Sequence, residues 1–88
     1  MNSRHARFEE TLTIIQNIIA DLTGNEIEYI DPESGFEDDL GITETDFRII
    51  LRTINSYFNI DLKSREIADE IETVAELSRL VQEESELG

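Results

Sequence analysis

The sequence predicts an all-α domain, a small four-helix bundle built from three longer helices, one short helix and a long first loop. Two observations carry that expectation. Apolar residues recur every three or four positions in separate stretches, and no stretch alternates with period two for long enough to make a strand. Eighty-eight residues allow one domain, 1–88, which buries roughly 60 to 65% of its unfolded-chain surface and has no room for a deep enclosed site.

The first helix is expected from about Ser3 to Leu22, where Phe8, Leu12, Ile15, Ile19 and Leu22 form one stripe and Gly24 is a natural stop. Residues 23–43 then form a long connection with Asp31-Pro32, Ser34-Gly35 and Gly41 as turn elements. Ile27, Tyr29, Ile30, Phe36 and Leu40 are its candidate anchors to the core. Loops beyond about 12 to 15 residues are uncommon in small domains, so this one is a candidate functional feature. The second helix has the clearest period, through Phe47, Ile50, Leu51, Ile54 and Phe58. Thr43 should cap it by accepting from the Asp46 amide, with Glu44 and Asp46 placed where the helix dipole favours negative charge. Asn59 suits its end. A short helix follows, expected to be capped by Ser64 and to run through Ile67 to about Asp69. Thr73-Val74-Ala75-Glu76 is a capping box that opens the last helix, with Val74, Leu77, Leu80 and Val81 facing inward. The acidic tail, residues 83–88, is expected to fray.

Seven basic against 21 acidic residues give a formal charge of −14. That charge repels phosphate backbones and anionic membrane surfaces, which argues against nucleic acid and membrane partners, favours a monomer, and points to a protein partner with a basic or mixed-charge docking surface. Disorder is disfavoured by 39% apolar content arranged with a clear period. With no cysteine there is no disulfide, thiolate metal site or cysteine nucleophile. No signal-peptide core and no apolar run near the ~20 residues of a membrane span is present, so a cytoplasmic location is expected.

Asp31-Pro32, then Phe36-Glu37-Asp38-Asp39-Leu40-Gly41, then Phe58-Asn59-Ile60-Asp61-Leu62, then Ile71-Glu72-Thr73-Val74 occur in an order and spacing that resembles the acyl carrier protein family across nearly the whole chain. The resemblance implies a four-helix carrier bundle. It also implies that the second helix opens on an Asp-Ser-Leu motif whose serine is esterified by 4'-phosphopantetheine. Laid on that motif, Asp becomes Thr43, Ser becomes Glu44 and Leu becomes Thr45. Attachment of the arm needs a hydroxyl to attack the pyrophosphate of coenzyme A, and a carboxylate in that role would give a labile acyl phosphate. Glu44 is therefore not an ordinary attachment site, and the sequence reading expects no prosthetic group. The alternative is 4'-phosphopantetheine carried by Thr45 or Thr43 in a divergent carrier of lipid, polyketide or peptide assembly. Of the two hydroxyls, Thr43 is the more useful as a helix cap.

The family's second helix shows acidic residues to basic partner surfaces, whereas here Arg48 and Arg52 stand one turn apart on its outer side. Asn55, Ser56 and Tyr57 occupy the usual acidic run, and Lys63 stands where proline is common. Partner binding is accordingly assigned to Asp38, Asp39, Glu44, Arg48 and Arg52, with Glu44 read either as a mimic of the arm's phosphate or, more simply, as a first-turn acid paired with Arg48. Glu37-Asp38-Asp39 lacks the alternating oxygen ligands and distal glutamate of a calcium loop, so no dedicated metal site is expected. Phe36, Leu40, Ile54, Ile60, Leu62 and Ile71 match the family's acyl-pocket lining and are most simply core. His5 has no second ligand or catalytic partner and is read as a surface residue. No nucleophile and base can be assembled, so an enzyme is not expected. The expected function is a non-catalytic, carrier-like binding module that works through protein contacts.

Self-repulsion at a charge of −14 generates the first test. Raising ionic strength, or adding divalent cations, should raise the melting temperature, because the Debye length shortens from about 30 Å at 0.01 M to about 10 Å at 0.1 M. A melting temperature that stays flat across such a series would count against it.

Overall fold

In the computed structural model the chain is described over residues 3–87, and its side chains over 7–86. Four helices follow one another: α1 (Ser3–Thr23), α2 (Glu44–Phe58), α3 (Ser64–Ile67) and α4 (Val74–Leu87). The connection between α1 and α2 carries a single 3₁₀ turn at Ile27–Tyr29, and the described residues contain no strand, only one isolated bridge between Gly35 and Thr73. The all-α bundle expected from the sequence is what the chain forms.

Each helix starts and stops for a local reason. α1 ends at Gly24, whose φ of +74° is strained for any residue with a Cβ, and the Asn25 amide donates back to the Ala20 carbonyl at 3.1 Å. At the head of α2 the Thr43 hydroxyl accepts from the Asp46 amide at 3.1 Å, as the cap pattern predicts. Asn59 closes that helix in the left-handed region at φ 57° and ψ 49°. The capping box of α4 is reciprocal: Thr73 Oγ1 accepts from the Glu76 amide at 3.2 Å, and Glu76 Oε1 accepts from the Thr73 amide at 3.0 Å and the Glu72 amide at 2.9 Å.

α1 packs chiefly on α4 and then on α2, while α3 lies against α2. The core between them takes Ile15 and Ile19 from α1, Phe47, Ile50, Leu51 and Ile54 from α2, Ile67 from α3, and Val74, Leu77 and Val81 from α4. The long connection contributes Ile30, Phe36 and Ile42, all buried. Phe36 meets Phe47 edge to face at 5.2 Å, a geometry that adds to the area it removes from water. The residues matching the acyl-pocket lining belong to this core: Phe36, Ile54 and Leu62 are buried, and Leu40, Ile60 and Ile71 are half-buried against it.

Several expectations are corrected. Leu22 is 45% exposed rather than inward, while Ile19 and Ala20 carry the buried face of that end of α1. Ile27 and Tyr29 do not anchor the loop, Tyr29 being 70% exposed; Ile30 does, and its carbonyl is held by Gln16 Nε2. The cap of α3 is Lys63, without a side-chain hydrogen bond. Ser64 is the first helical residue, and the helix closes at Ile67. α4 extends to Leu87, and Arg7 on α1 pairs with Glu86 at 3.2 Å. The reading of His5 concerns a side chain outside the described ones.

Glu76 generates the second test. Hydrogen bonds from the Glu72 and Thr73 amides, with smaller help from the Thr73 hydroxyl and the charge of Arg79, hold its carboxyl below the usual value near 4.5. A depressed folded-state pKa gives stability that is present above the unfolded value and lost as pH falls through the folded one. Glu76→Gln should therefore lower the urea midpoint at neutral pH, and its deficit from the parent should narrow as pH drops below 4.5. A deficit independent of pH would assign the loss to packing instead.

Candidate functional site

The candidate site is the head and outer face of α2 with the loop that leads into it. Residues 32–42 hold that loop in one shape. The Phe36 amide donates to the Glu72 carbonyl at 2.9 Å, and the Val74 and Ala75 amides donate to the carbonyls of Ser34 at 3.2 Å and Pro32 at 2.8 Å. Asp39 Oδ2 accepts from the Gly35 amide at 2.7 Å, and the Ile42 amide donates to the Phe36 carbonyl at 2.8 Å. Asp39, assigned to partner binding from the sequence, thus has a structural task within the loop, while Asp38 beside it is exposed. Among the described residues no hydrogen bond or ion pair joins Asp38 or Asp39 to Glu44, Arg48 or Arg52, and no group of three or more His, Cys, Asp or Glu is gathered as a metal site requires.

Glu44 is the first residue of α2 and exposed. Its expected pairing with Arg48 is not formed: among the described residues neither Arg48 nor Arg52 has a carboxylate within 4.0 Å. Glu44 acts on the helix as a first-turn charge alone. The two neighbouring hydroxyls have different circumstances. Thr43 Oγ1 is occupied as the cap of α2, whereas Thr45 is exposed and makes no side-chain hydrogen bond. Thr45, Ile49, Arg52 and Ser56 fall at three- and four-residue steps, all exposed, and so form the outward ridge of the helix.

Asn55 stands in the family's usual acidic run. It is half-buried, and its side chain brackets the backbone of Leu62: Nδ2 donates to the Leu62 carbonyl and Oδ1 accepts from the Leu62 amide, both at 2.9 Å. This clamp brings Lys63, Ser64 and Arg65 against α2. There they line an open cleft of about 580 Å³ with Arg48 and Arg52. Sequence reasoning missed Lys63 and Arg65, which share no period with Arg48 and Arg52. Lys63 Nζ lies 2.9 Å from Asp61 Oδ2, and that hydrogen bond, reinforced by the charge of Asp61, raises the lysine above its usual 10.5.

A family described as a phosphopantetheine attachment site matches residues 13–81, from the middle of α1 into α4. Carrier domains of this kind act on partner proteins and normally bear a 4'-phosphopantetheine group. The expectation of no prosthetic group, drawn from the carboxylate at Glu44, is corrected by this match. That expectation set the carboxylate at Glu44 above the neighbouring hydroxyls of Thr45 and Thr43, which it kept only as the alternative. Glu44 does not fit the group, since it has no alcohol to form the phosphodiester, but Thr45 does, because its hydroxyl is exposed on the outward ridge and uncommitted. The match spans well over half of the chain and agrees with the helical bundle and its loop, so the chain belongs to the phosphopantetheine-attachment family of acyl-carrier-type domains.

Proposed function

We propose that the chain is a monomeric, cytoplasmic, non-catalytic carrier-type module that works by docking partner proteins through α2 and the loop before it. The observation that supports this reading is the solvent face of α2. Glu44, Arg48 and Arg52 stand exposed and unpaired there, beside Ile49 at 42% and Tyr57 at 63% exposure. Exposed apolar residues next to charges without partners are the composition of a contact surface, and charges of both signs select a partner of mixed charge. Asp38 adds a negative edge on the loop side. Arg48 and Arg52 set this domain apart from carriers whose α2 is acidic throughout, and so exclude the partners those carriers use.

The arm itself is assigned to Thr45. Thr43 is the poorer candidate because its oxygen holds the head of α2, whereas Thr45 projects from the outward ridge without a partner. The group supplies a thiol that carries an acyl chain as a thioester. This chain contributes the hydroxyl, the rigid loop that fixes where it stands, and the recognition face around it.

Two tests follow. Reversing Arg48 and Arg52 together to glutamate should abolish capture of the native partner while the helical circular dichroism is unchanged; undiminished capture sinks the docking reading. Incubation with a phosphopantetheinyl transferase, magnesium and coenzyme A should add the mass of one phosphopantetheine to the intact protein. Thr45→Ala should prevent the gain and Thr43→Ala should not, although loss of the cap costs about 1 kcal/mol. No gain in the parent, or a gain that survives Thr45→Ala, removes the assignment to Thr45.

A further inference from the structure

The cleft between α2 and α3 concentrates positive charge in a strongly acidic protein. Four of the chain's seven basic residues, Arg48, Arg52, Lys63 and Arg65, line it, against one carboxylate, Asp61, already paired with Lys63. Of the four, only Lys63 has a carboxylate within 4.0 Å among the described residues. Among the described residues the basic side chains elsewhere are used: Arg7 pairs with Glu86, and Arg79 lies over the Phe8 ring at 5.6 Å. Three guanidinium groups left unpaired in one cleft, in a chain with 21 acidic residues to offer, are not explained by internal ion pairing.

Leu51 and Leu62, both buried, lie beneath the cations, and Asn55 locks the two walls together, so the charges are mounted on a rigid base. Arg48 and Arg52 are one helical turn apart, about 6 Å along the axis, which is the spacing of carboxylates at i and i+4 on a facing helix. Guanidinium forks grip carboxylates two bonds at a time, which gives such a contact direction as well as strength.

We propose that this cleft is the docking site for an acidic helical segment of a partner protein. The partner's glutamates or aspartates, spaced one turn apart, pair with Arg48 and Arg52 from one side and with Lys63 and Arg65 from the other. The inference deepens the docking reading of α2 and rests on it. It names the chemistry of the partner at this part of the surface as acidic, opposite to the basic surface that the net charge alone suggests. Net charge does not forbid it, since at physiological ionic strength the Debye length is about 8 Å. A segment seated in the cleft therefore feels the cations around it far more than the acids on the remote faces.

The test uses the full chain and a capped alanine-based helical peptide with glutamate at i, i+4 spacing along one face, followed by amide chemical shifts and fluorescence anisotropy. Shifts should concentrate at residues 48–55 and 61–65, and affinity should weaken as salt rises. Lys63→Glu with Arg65→Glu should weaken binding at least tenfold, and the milder Lys63→Gln with Arg65→Gln by a smaller factor. The same peptide with lysine for glutamate should leave these amides unmoved. Shifts absent from the cleft, or unchanged affinity in the reversed variant, overturn the proposal. So does inorganic pyrophosphate displacing the peptide at equal or lower concentration, which would mark a small-anion site instead. Lys63 and Arg65 lie outside α2, so failure here with native-partner capture still lost in the Arg48/Arg52 variant would refute the acidic segment and leave α2 docking standing. Retained capture in that variant would remove the docking reading itself.

Discussion

The rest of the structure depends on one set of backbone hydrogen bonds, between the long connection and the head of α4. A helix leaves its first amides without partners, and burying them unsatisfied costs about 1 to 3 kcal/mol each. Here the Val74 and Ala75 amides find the carbonyls of Ser34 and Pro32, the Glu76 carboxylate takes the Glu72 and Thr73 amides, and the Phe36 amide returns a bond to the Glu72 carbonyl. Segments some 40 positions apart in sequence therefore solve each other's problem. The helix gains acceptors, and the loop gains a fixed path.

That path sets the position of α2. With Phe36 seated against Phe47, the carbonyl of Phe36 receives the Ile42 amide, and Ile42 itself is buried, so the chain enters Thr43 from a defined direction. Thr43 then caps the helix, and Glu44 and Thr45 stand where the first turn places them. At the other end, the left-handed Asn59 turns the chain and Asn55 clamps Leu62, which lays α3 against α2. The exposed face of α2 is thus positioned at both ends by loops tied down with hydrogen bonds, and a face held in this way loses little freedom when it meets a partner.

What could be read in advance follows from whether a signal is local. The period of Phe47, Ile50, Leu51 and Ile54, the Thr43 cap and the Thr73–Glu76 box are complete within one or two turns, and each appears as expected. Ile42 was not singled out although it is buried, because a lone apolar residue beside a glycine carries no period. Tyr29 and Ile30 are adjacent apolar residues in a loop without a period, and sequence alone does not tell which of the two is buried. The cleft was illegible for a different one: Lys63 and Arg65 join Arg48 and Arg52 only through the Asn55 clamp, and an asparagine in a helix gives no sign of which backbone it will hold. At the attachment position, the residue aligned with the serine was legible as Glu44. The Thr43 cap was legible too, and it leaves Thr45 as the uncommitted hydroxyl, but a motif aligned on serine gives a neighbouring threonine no weight.

Thr45 and the cleft are parts of one surface. From Thr45 to Arg52 along α2 is about 10 Å at 1.5 Å per residue, and both lie on the same outward ridge. A partner that seats a segment in the cleft therefore brings its own surface over the head of α2, and whatever Thr45 bears is presented to it. If Thr45 carries the arm as proposed, selection by charge and delivery by the arm are not independent properties. On the proposed reading the cations would select which protein settles on α2 and the rigid loop would fix what that protein meets, so a change in the cleft would alter the encounter without touching Thr45.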